Sequence, residues 1–251
     1  MIRFFADPQD ISASSIKLST EDSKHIRTLR LSPEEQFIVC DGNGTDYLCK
    51  LGKPGEHATA DILSGHKSTT EPTVKCNVYM AFSKGDRLDY AVQKSVELGV
   101  REIILFESDR CVAIPHDIPK KTARLGRIAF ETAKLCDRGI IPAVSCAGDF
   151  KSAINKAVDE SELVLFFYES EEELHLKSVL QQHFSQSGNH VEDKLKNISI
   201  ITGPEGGFTS QEVEFARSKN IPVVSLGPRV MRSETAPVAA LAAIMYQSDN
   251  M

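Results

Sequence analysis

Near the carboxyl end of the chain, the segment NISIITGPEGGFTSQEVEFARSKN runs an apolar stretch at 198–202 directly into Gly203, Pro204, Glu205, Gly206 and Gly207, then returns to a helical pattern. No other feature constrains the fold as much. A strand that ends on glycines and reopens as a helix is a βα unit, and repeated βα units build a parallel sheet covered by helices. Thr209 and Glu212 have the spacing of a capping box, which marks the helix start. Glycine lets a ligand approach backbone N–H and C=O groups at the carboxyl edge of the sheet, where open α/β folds bind ligands. A tight βα connection would itself use some glycine, but three glycines and a proline in five positions exceed what a turn needs.

The same alternation extends backwards to about residue 73. The β-rich runs VKCNVYMAF, EIILFE, LVLFFYE, NISIIT and PVVSLG are interleaved with the helical patterns DRLDYAVQKSVEL and KKTARLGRIAFETAKLC. In the first helix Leu88, Ala91, Val92, Ser95 and Val96 form the buried stripe, Arg87 and Lys94 fall away from it, and Gly99 supplies the C-terminal stop. A strand in PVVSLG is expected to end at Leu226 and Gly227, followed by an arginine-bearing loop and an Ala-rich helix from Ser233 or Glu234. Arg229 and Arg232 bracket Val230 and Met231, mixing cations with apolar side chains as a pocket for a flat base and a charged partner would. Each arginine taken alone is equally well read as solvated.

Residues 1–70 read differently, as short strands and turns: IRFFA, IKLST and FIVCDGNGTDYLCKL, the last with a Gly-rich hairpin turn at 41–45. One helical piece, EDSKHIRTLRL, sets Lys24, Arg27 and Arg30 at spacings of three. The polar stretch at 65–73 is expected to be a linker and 185–197 an exposed loop. The sequence thus predicts a small β domain followed by an α/β domain.

With 41% hydrophobic and 25% charged residues the chain falls among ordinary globular proteins, far from disorder. It has no apolar run long enough to cross a bilayer and no signal-peptide pattern, so a cytoplasmic protein without a membrane partner is expected. The six cysteines form no CxxC pair and no ligand spacing with the seven histidines, so they are read as reduced thiols and no metal is expected. A net charge of −6 argues against a nucleic-acid partner, yet residues 120–138 hold six cations against two acids, and a local basic face remains open. Absent GxGxxG, GxxxxGK[ST], HExxH and GxSxG signatures in suitable contexts remove dinucleotide enzymes, P-loop NTPases, zincins and α/β-hydrolases as first choices.

In IRFF, HIRTLRL, DGNG, KGDRLDYAVQKSVELGV, ITGPEGGF and SLGPRVMRSETA the chain resembles the RsmE family of ribosomal RNA small-subunit methyltransferases, of the SPOUT superfamily, over nearly its whole length. The resemblance implies a PUA-like RNA-binding β-barrel at 1–70 and, at 73–251, an α/β methyltransferase domain with a deep trefoil knot. It implies S-adenosyl-L-methionine as cofactor, held by Phe167, Tyr168 and Glu169, by Thr202, Gly203, Pro204, Glu205, Gly206 and Gly207, and by Leu226, Gly227, Arg229, Val230, Met231 and Arg232. The implied reaction methylates uridine N3 in 16S rRNA of the small ribosomal subunit, and the implied assembly is a homodimer. Arg232 is expected to stabilise the uridinate, with Glu205 as an orienting or proton-accepting group. Arg3, Arg27, Arg30, Lys84, Arg87 and Lys94 are expected to grip RNA. One departure stands out: Lys134 and Leu135 occupy positions where the family usually has a Glu-Gln pair, while Arg138 and Pro142 fit. Two alternatives stay open, a related knotted methyltransferase acting on ribose 2′-oxygen or a transfer-RNA base, and a non-catalytic RNA-binding assembly factor.

Overall fold

In the computed structural model, which describes residues 1–185 and 197–251, contacts sort the chain into two units. One is Met1–Glu71 with Glu131–Ile141, the other Pro72–Phe130 with Pro142–Met251. The loop expected at 185–197 lies, apart from its end residues, outside the described residues.

The first unit runs β1 (Arg3–Phe5), β2 (Ser15–Lys17), α1 (Thr20–Leu29), β3 (Gln36–Cys40), β4 (Thr45–Leu51) and β5 (Thr59–Lys67). They form one sheet in the order β1-β3-β4-β5-β2, antiparallel except where β1 lies parallel to β3. Alternate residues turn inward, and Phe4, Ile16, Ile26, Phe37 and Val39 close the core. The expected turn between β3 and β4 is present. The Asp41 carboxylate accepts from the backbone N–H of Asn43 at 2.8 Å and Thr45 at 2.9 Å, while Gly42 and Gly44 take φ of 71° and 98°.

Two expectations for this unit are corrected. The stretch at 65–73 is no bland linker, because β5 continues to Lys67 and Glu71 is an anchor. The Glu71 carboxylate accepts from Arg138 Nε at 2.9 Å and Nη2 at 2.8 Å, and from the N–H groups of Gly139 and Ile140 at 2.8 and 3.0 Å. This bidentate pair, with Arg138 only 4% exposed, fastens the segment at 131–141 into the first unit. The basic run at 120–138 is also largely neutralised, which takes away most of the suggested basic face. Besides Arg138, Lys134 Nζ lies 3.0 Å from Asp22, and in the second unit Arg124 and Lys121 lie 2.5 and 3.8 Å from Asp89. Lys134 also sits 5.9 Å over the Phe4 ring, so the residue that departs from the family pattern here has a structural partner in this chain.

The second unit contains β6 (Lys75–Ala81), α2 (Arg87–Glu97), β7 (Glu102–Glu107), most of α3 (Ile118–Leu135), β8 (Ala143–Asp149), α4 (Phe150–Glu160), β9 (Leu163–Phe167), α5 (Leu176–Ser185), β10 (Asn197–Thr202), α6 (Ser210–Ser218), β11 (Val223–Val224) and α7 (Thr235–Gln247). All six strands are parallel, in the order β11-β9-β10-β6-β7-β8. The central strands β6 and β10 are buried along almost their whole length, as a sheet covered on both faces requires. Helix α4 packs on β7, β8 and β9, and α7 on β6 and β10. Phe106, Phe150, Phe166 and Phe208 form the aromatic part of the core, with Phe166 and Phe208 centroids 4.3 Å apart. The stripe expected on α2 is the buried one. The strand expected to reach Leu226 is shorter than read: β11 is two residues long, and Ser225 already pairs in an isolated bridge with His175.

Register fixes where the chain's loops emerge. Ile201 of β10 stands beside Phe166 of β9, and Phe167 beside Val224 of β11, so the three strands release their carboxyl ends side by side. The glycine turn after β10 is held by the capping box: Glu212 N–H donates to Thr209 Oγ1 at 3.3 Å and Thr209 N–H to Glu212 Oε2 at 2.8 Å. The buried Glu212 carboxylate also accepts from Ser108 Oγ at 2.8 Å, tying the turn to the loop after β7. Thr209→Ala should therefore cost about 1 kcal/mol, read as a drop in Tm of roughly 2–4 °C.

Candidate active site

Between the loops after β9, β10 and β11 and the start of α7 lies a cavity of about 410 Å³, a volume suited to a nucleoside-sized ligand. Phe167, Tyr168 and Glu169 form one wall, Thr202, Gly203, Pro204, Glu205 and Gly207 the second, and Leu226, Gly227, Arg229, Val230, Met231 and Arg232 the third. Of the cofactor residues read from the sequence, only Gly206 is outside the lining. It backs the loop, its carbonyl accepting from Arg110 Nη1 at 3.1 Å.

Two glycines explain why the walls can be backbone. Gly207 has φ of +66°, and a Cβ there would lie 2.2 Å from Glu169 Oε1. Gly227 has φ of +104° with nothing within 4 Å of an added Cβ, leaving an open cradle that a side chain would fill. Gly227 N–H donates to Ser225 Oγ at 3.1 Å, which holds the third loop in its turn. Pro204, Phe167, Leu226, Val230 and Met231 supply the apolar part of the surface. A flat heterocycle with a polar edge fits such a cradle.

Charge is concentrated on one side. Glu205 accepts from Lys84 N–H at 2.7 Å and from Arg87 Nη1, while Arg87 Nε lies 3.5 Å from Glu234. Partial burial works to raise the Glu205 pKa, but the hydrogen bonds from Lys84, from its own N–H and from Arg87, with the Arg87 charge, outweigh it and hold the carboxyl below its usual value. Glu205 is an anion whose Oε1 takes both donors, and its lowered pKa suits it better to orienting than to accepting a proton. Arg232 differs from Arg87. Its side chain is 81% exposed at the pocket mouth, with Glu234 4.0 Å away.

The residues expected to grip RNA are not alike. Arg3 is corrected. Its guanidinium donates to both Asp46 oxygens, at 2.6 and 3.0 Å, and its side chain is 6% exposed, so it has no charge to offer a phosphate. Arg87 faces the pocket and its two carboxylates. Arg27 is exposed and donates to the Gly55 carbonyl at 3.1 Å. Arg30, with φ of 54°, caps α1 instead of sharing its face. Lys94 pairs with Glu97 at 2.8 Å, and Lys84 is exposed with only its backbone engaged at Glu205. Sequence reasoning missed Ser225, Ser233, Glu234 and Ala236 as lining residues. Glu234 stood out only as a helix start, since nothing local shows which side of a turn a carboxylate faces. Among the described residues no group of His, Cys, Asp and Glu is placed to hold a metal ion, and no helix is long and apolar enough to cross a membrane.

A family model described as RNA methyltransferase domain matches residues 70–245, which take in both pocket loops and every strand of the parallel sheet. The chain belongs to the RNA methyltransferase domain family. A second model, RNA methyltransferase PUA domain, matches residues 18–63 of the five-stranded unit, making this a PUA-like unit followed by the RNA methyltransferase domain. Over 256 residues the chain is 29% identical to the ribosomal RNA small subunit methyltransferase E of Bacillus subtilis, covering 99% of this chain and 98% of that protein. The enzyme of the same name from Aquifex aeolicus is 28% identical over 223 residues, covering 88% and 90%. A crystal structure of ribosomal RNA small subunit methyltransferase E from Neisseria gonorrhoeae, bound to S-adenosyl methionine, superposes with a TM-score of 0.79 at 29% identity, covering 98% of this chain and 97% of that one.

Proposed function

We propose that this RNA methyltransferase transfers a methyl group from S-adenosyl-L-methionine to N3 of a uridine in 16S ribosomal RNA of the small subunit. The observation that carries the reading is the three-walled pocket at the carboxyl ends of β9, β10 and β11, whose open cradle at Gly227 suits a flat heterocycle. Its relatives are named ribosomal RNA small subunit methyltransferase E, and the Neisseria relative is bound to S-adenosyl methionine, which supports this reading.

When bound, the cofactor supplies an electrophilic sulfonium methyl group. The chain's own residues do the rest. Backbone at Thr202, Gly203, Leu226 and Gly227 would hold the cofactor, and Phe167, Pro204, Val230 and Met231 would exclude water from it. Uridine N3 is a weak nucleophile until it loses its proton, and a cation set against the developing charge favours the uridinate. Arg232, exposed at the mouth near the likewise exposed Arg229, is assigned this task. Glu205 orients Arg87 and the first loop, and the proton leaves to another acceptor. The unit at 1–70, the exposed cations Arg27, Arg30 and Lys84 and the half-buried Lys94 would grip the RNA backbone, while 73–251 carries the chemistry. A trefoil knot in the C-terminal segment, a homodimer and a cytoplasmic location belong to the same reading.

The test is calorimetric titration with S-adenosyl-L-methionine, followed by incubation with small-subunit RNA and mass analysis of its nucleosides. Saturable binding at one site per chain and a methylated base identified as N3-methyluridine are expected. A methylated ribose or guanine would reassign the target, and no binding would leave an RNA-binding assembly factor.

A further inference from the structure

At the pocket, Arg87 occupies the first position of α2, where the positive end of the helix disfavours a cation. It is kept there by two carboxylates, Glu205 on the loop after β10 and Glu234 at the N-cap of α7. Glu234 has no side-chain capping bond of its own and is 14% exposed. Its two cationic neighbours are Arg87 Nε at 3.5 Å and Arg232 Nη1 at 4.0 Å, and Ser233 Oγ donates to it at 3.3 Å. Glu205, Arg87, Glu234 and Arg232 thus alternate in sign from one pocket wall to the next. Arg87 approaches Glu234 Oε2 and Arg232 approaches Oε1, so they do not contend for one atom; the two guanidinium charges repel each other across the carboxylate, and each weakens the other's hold on it.

We propose that Arg87 is a positioning residue that competes for Glu234, so that Arg232 is left loosely paired and available at the pocket mouth. The inference rests on the proposed methyl transfer for its kinetic part, because only there does an available Arg232 have a task. Its structural part stands without it. If Arg87 is removed, Glu234 turns to its remaining partner and draws Arg232 away from the substrate. A defect caused by losing Arg87 should then be relieved by also discharging Glu234, which is the reverse of what two independent structural losses would give.

Two measurements on the full chain test this. In thermal unfolding, R232Q is expected to change the wild-type Tm by no more than about 1 °C, as for an exposed loose pair, and to lower that of R87Q by roughly 2–4 °C. In turnover, R87Q is expected to lower kcat about tenfold, a charge effect of ordinary size, with a smaller change in the cofactor KM. R87Q/E234Q should recover most of that loss. R87K, which keeps a cation but cannot bridge both carboxylates, gives the same ordering if R87Q folds poorly. An equal Tm effect of R232Q in both backgrounds overturns the proposal, as does a double variant no more active than R87Q. The unfolding cycle requires neither cofactor nor RNA, so a wild type that methylates nothing would sink the functional reading while leaving the competition between Arg87 and Arg232 still decided.

Discussion

A chain carrying Gly207→Val is expected to bind S-adenosyl-L-methionine about ten- to a hundredfold more weakly than the wild type in a calorimetric titration. Gly207 sits at φ of +66°, where a β-branched residue is strained. Its first side-chain atom would fall 2.2 Å from Glu169 Oε1, the end of an exposed side chain that can swing aside, so the main cost lies in the backbone of the loop. Backbone strain alone costs on the order of 1–3 kcal/mol, and each ~1.4 kcal/mol is a factor of ten in affinity. Gly126→Ala is the matched control. It lies in α3, an added Cβ meets nothing within 4 Å, and the change should raise stability by about 0.5–1 kcal/mol with binding intact. Gly207→Val binding as tightly as the control would mean that the cofactor does not use this loop.

For Arg232→Ala the expected loss is in turnover, with kcat down by about 10²–10³, the usual effect of removing a donor set against developing negative charge. With the side chain 81% exposed and its nearest carboxylate 4.0 Å away, neither Tm nor cofactor affinity should move much. The pH profile supplies the sign. A cation beside the base favours the uridinate and lowers the pH at which it forms, so without Arg232 the rise of kcat with pH should shift to more alkaline values and the deficit should shrink there. Arg232→Lys should recover part of the rate, since charge remains while the planar fork is lost. A uniform loss at every pH would assign Arg232 to binding or structure instead.

What the sequence disclosed was local. Thr209 and Glu212 are three residues apart and need only each other, so the capping box was readable, as were the turn at 41–45 and the α2 stripe. Both pocket loops were readable because glycine records a backbone requirement in the residue itself. Long-range pairing left no such mark. Arg3 looked like a free cation until Asp46, forty-three residues away, took it up. Arg87 fell off the buried stripe of its helix and so looked solvated, although the loops after β10 and β11 bring Glu205 and Glu234 to it. The segment at 131–141 continues a helix of the other unit, and its membership in the first unit depends on Glu71, more than sixty residues earlier.

The central position of β10 has a consequence for a chain leaving the ribosome. β6 and β9 both exist before β10 does, and neither can complete its pairing until β10 fills the gap between them. From the end of β9 at Phe167 to the end of β10 at Thr202 a ribosome adding about 5–20 residues per second takes roughly 2–7 s. Through that interval two apolar strand edges stand open, the condition under which nascent chains pair with one another. Both glycine-bearing pocket loops and α7 are later still. An enzyme proposed to modify ribosomes would therefore have no cofactor pocket until nearly the whole of it had been translated, and its yield at high expression should depend on what shields β6 and β9 in the meantime.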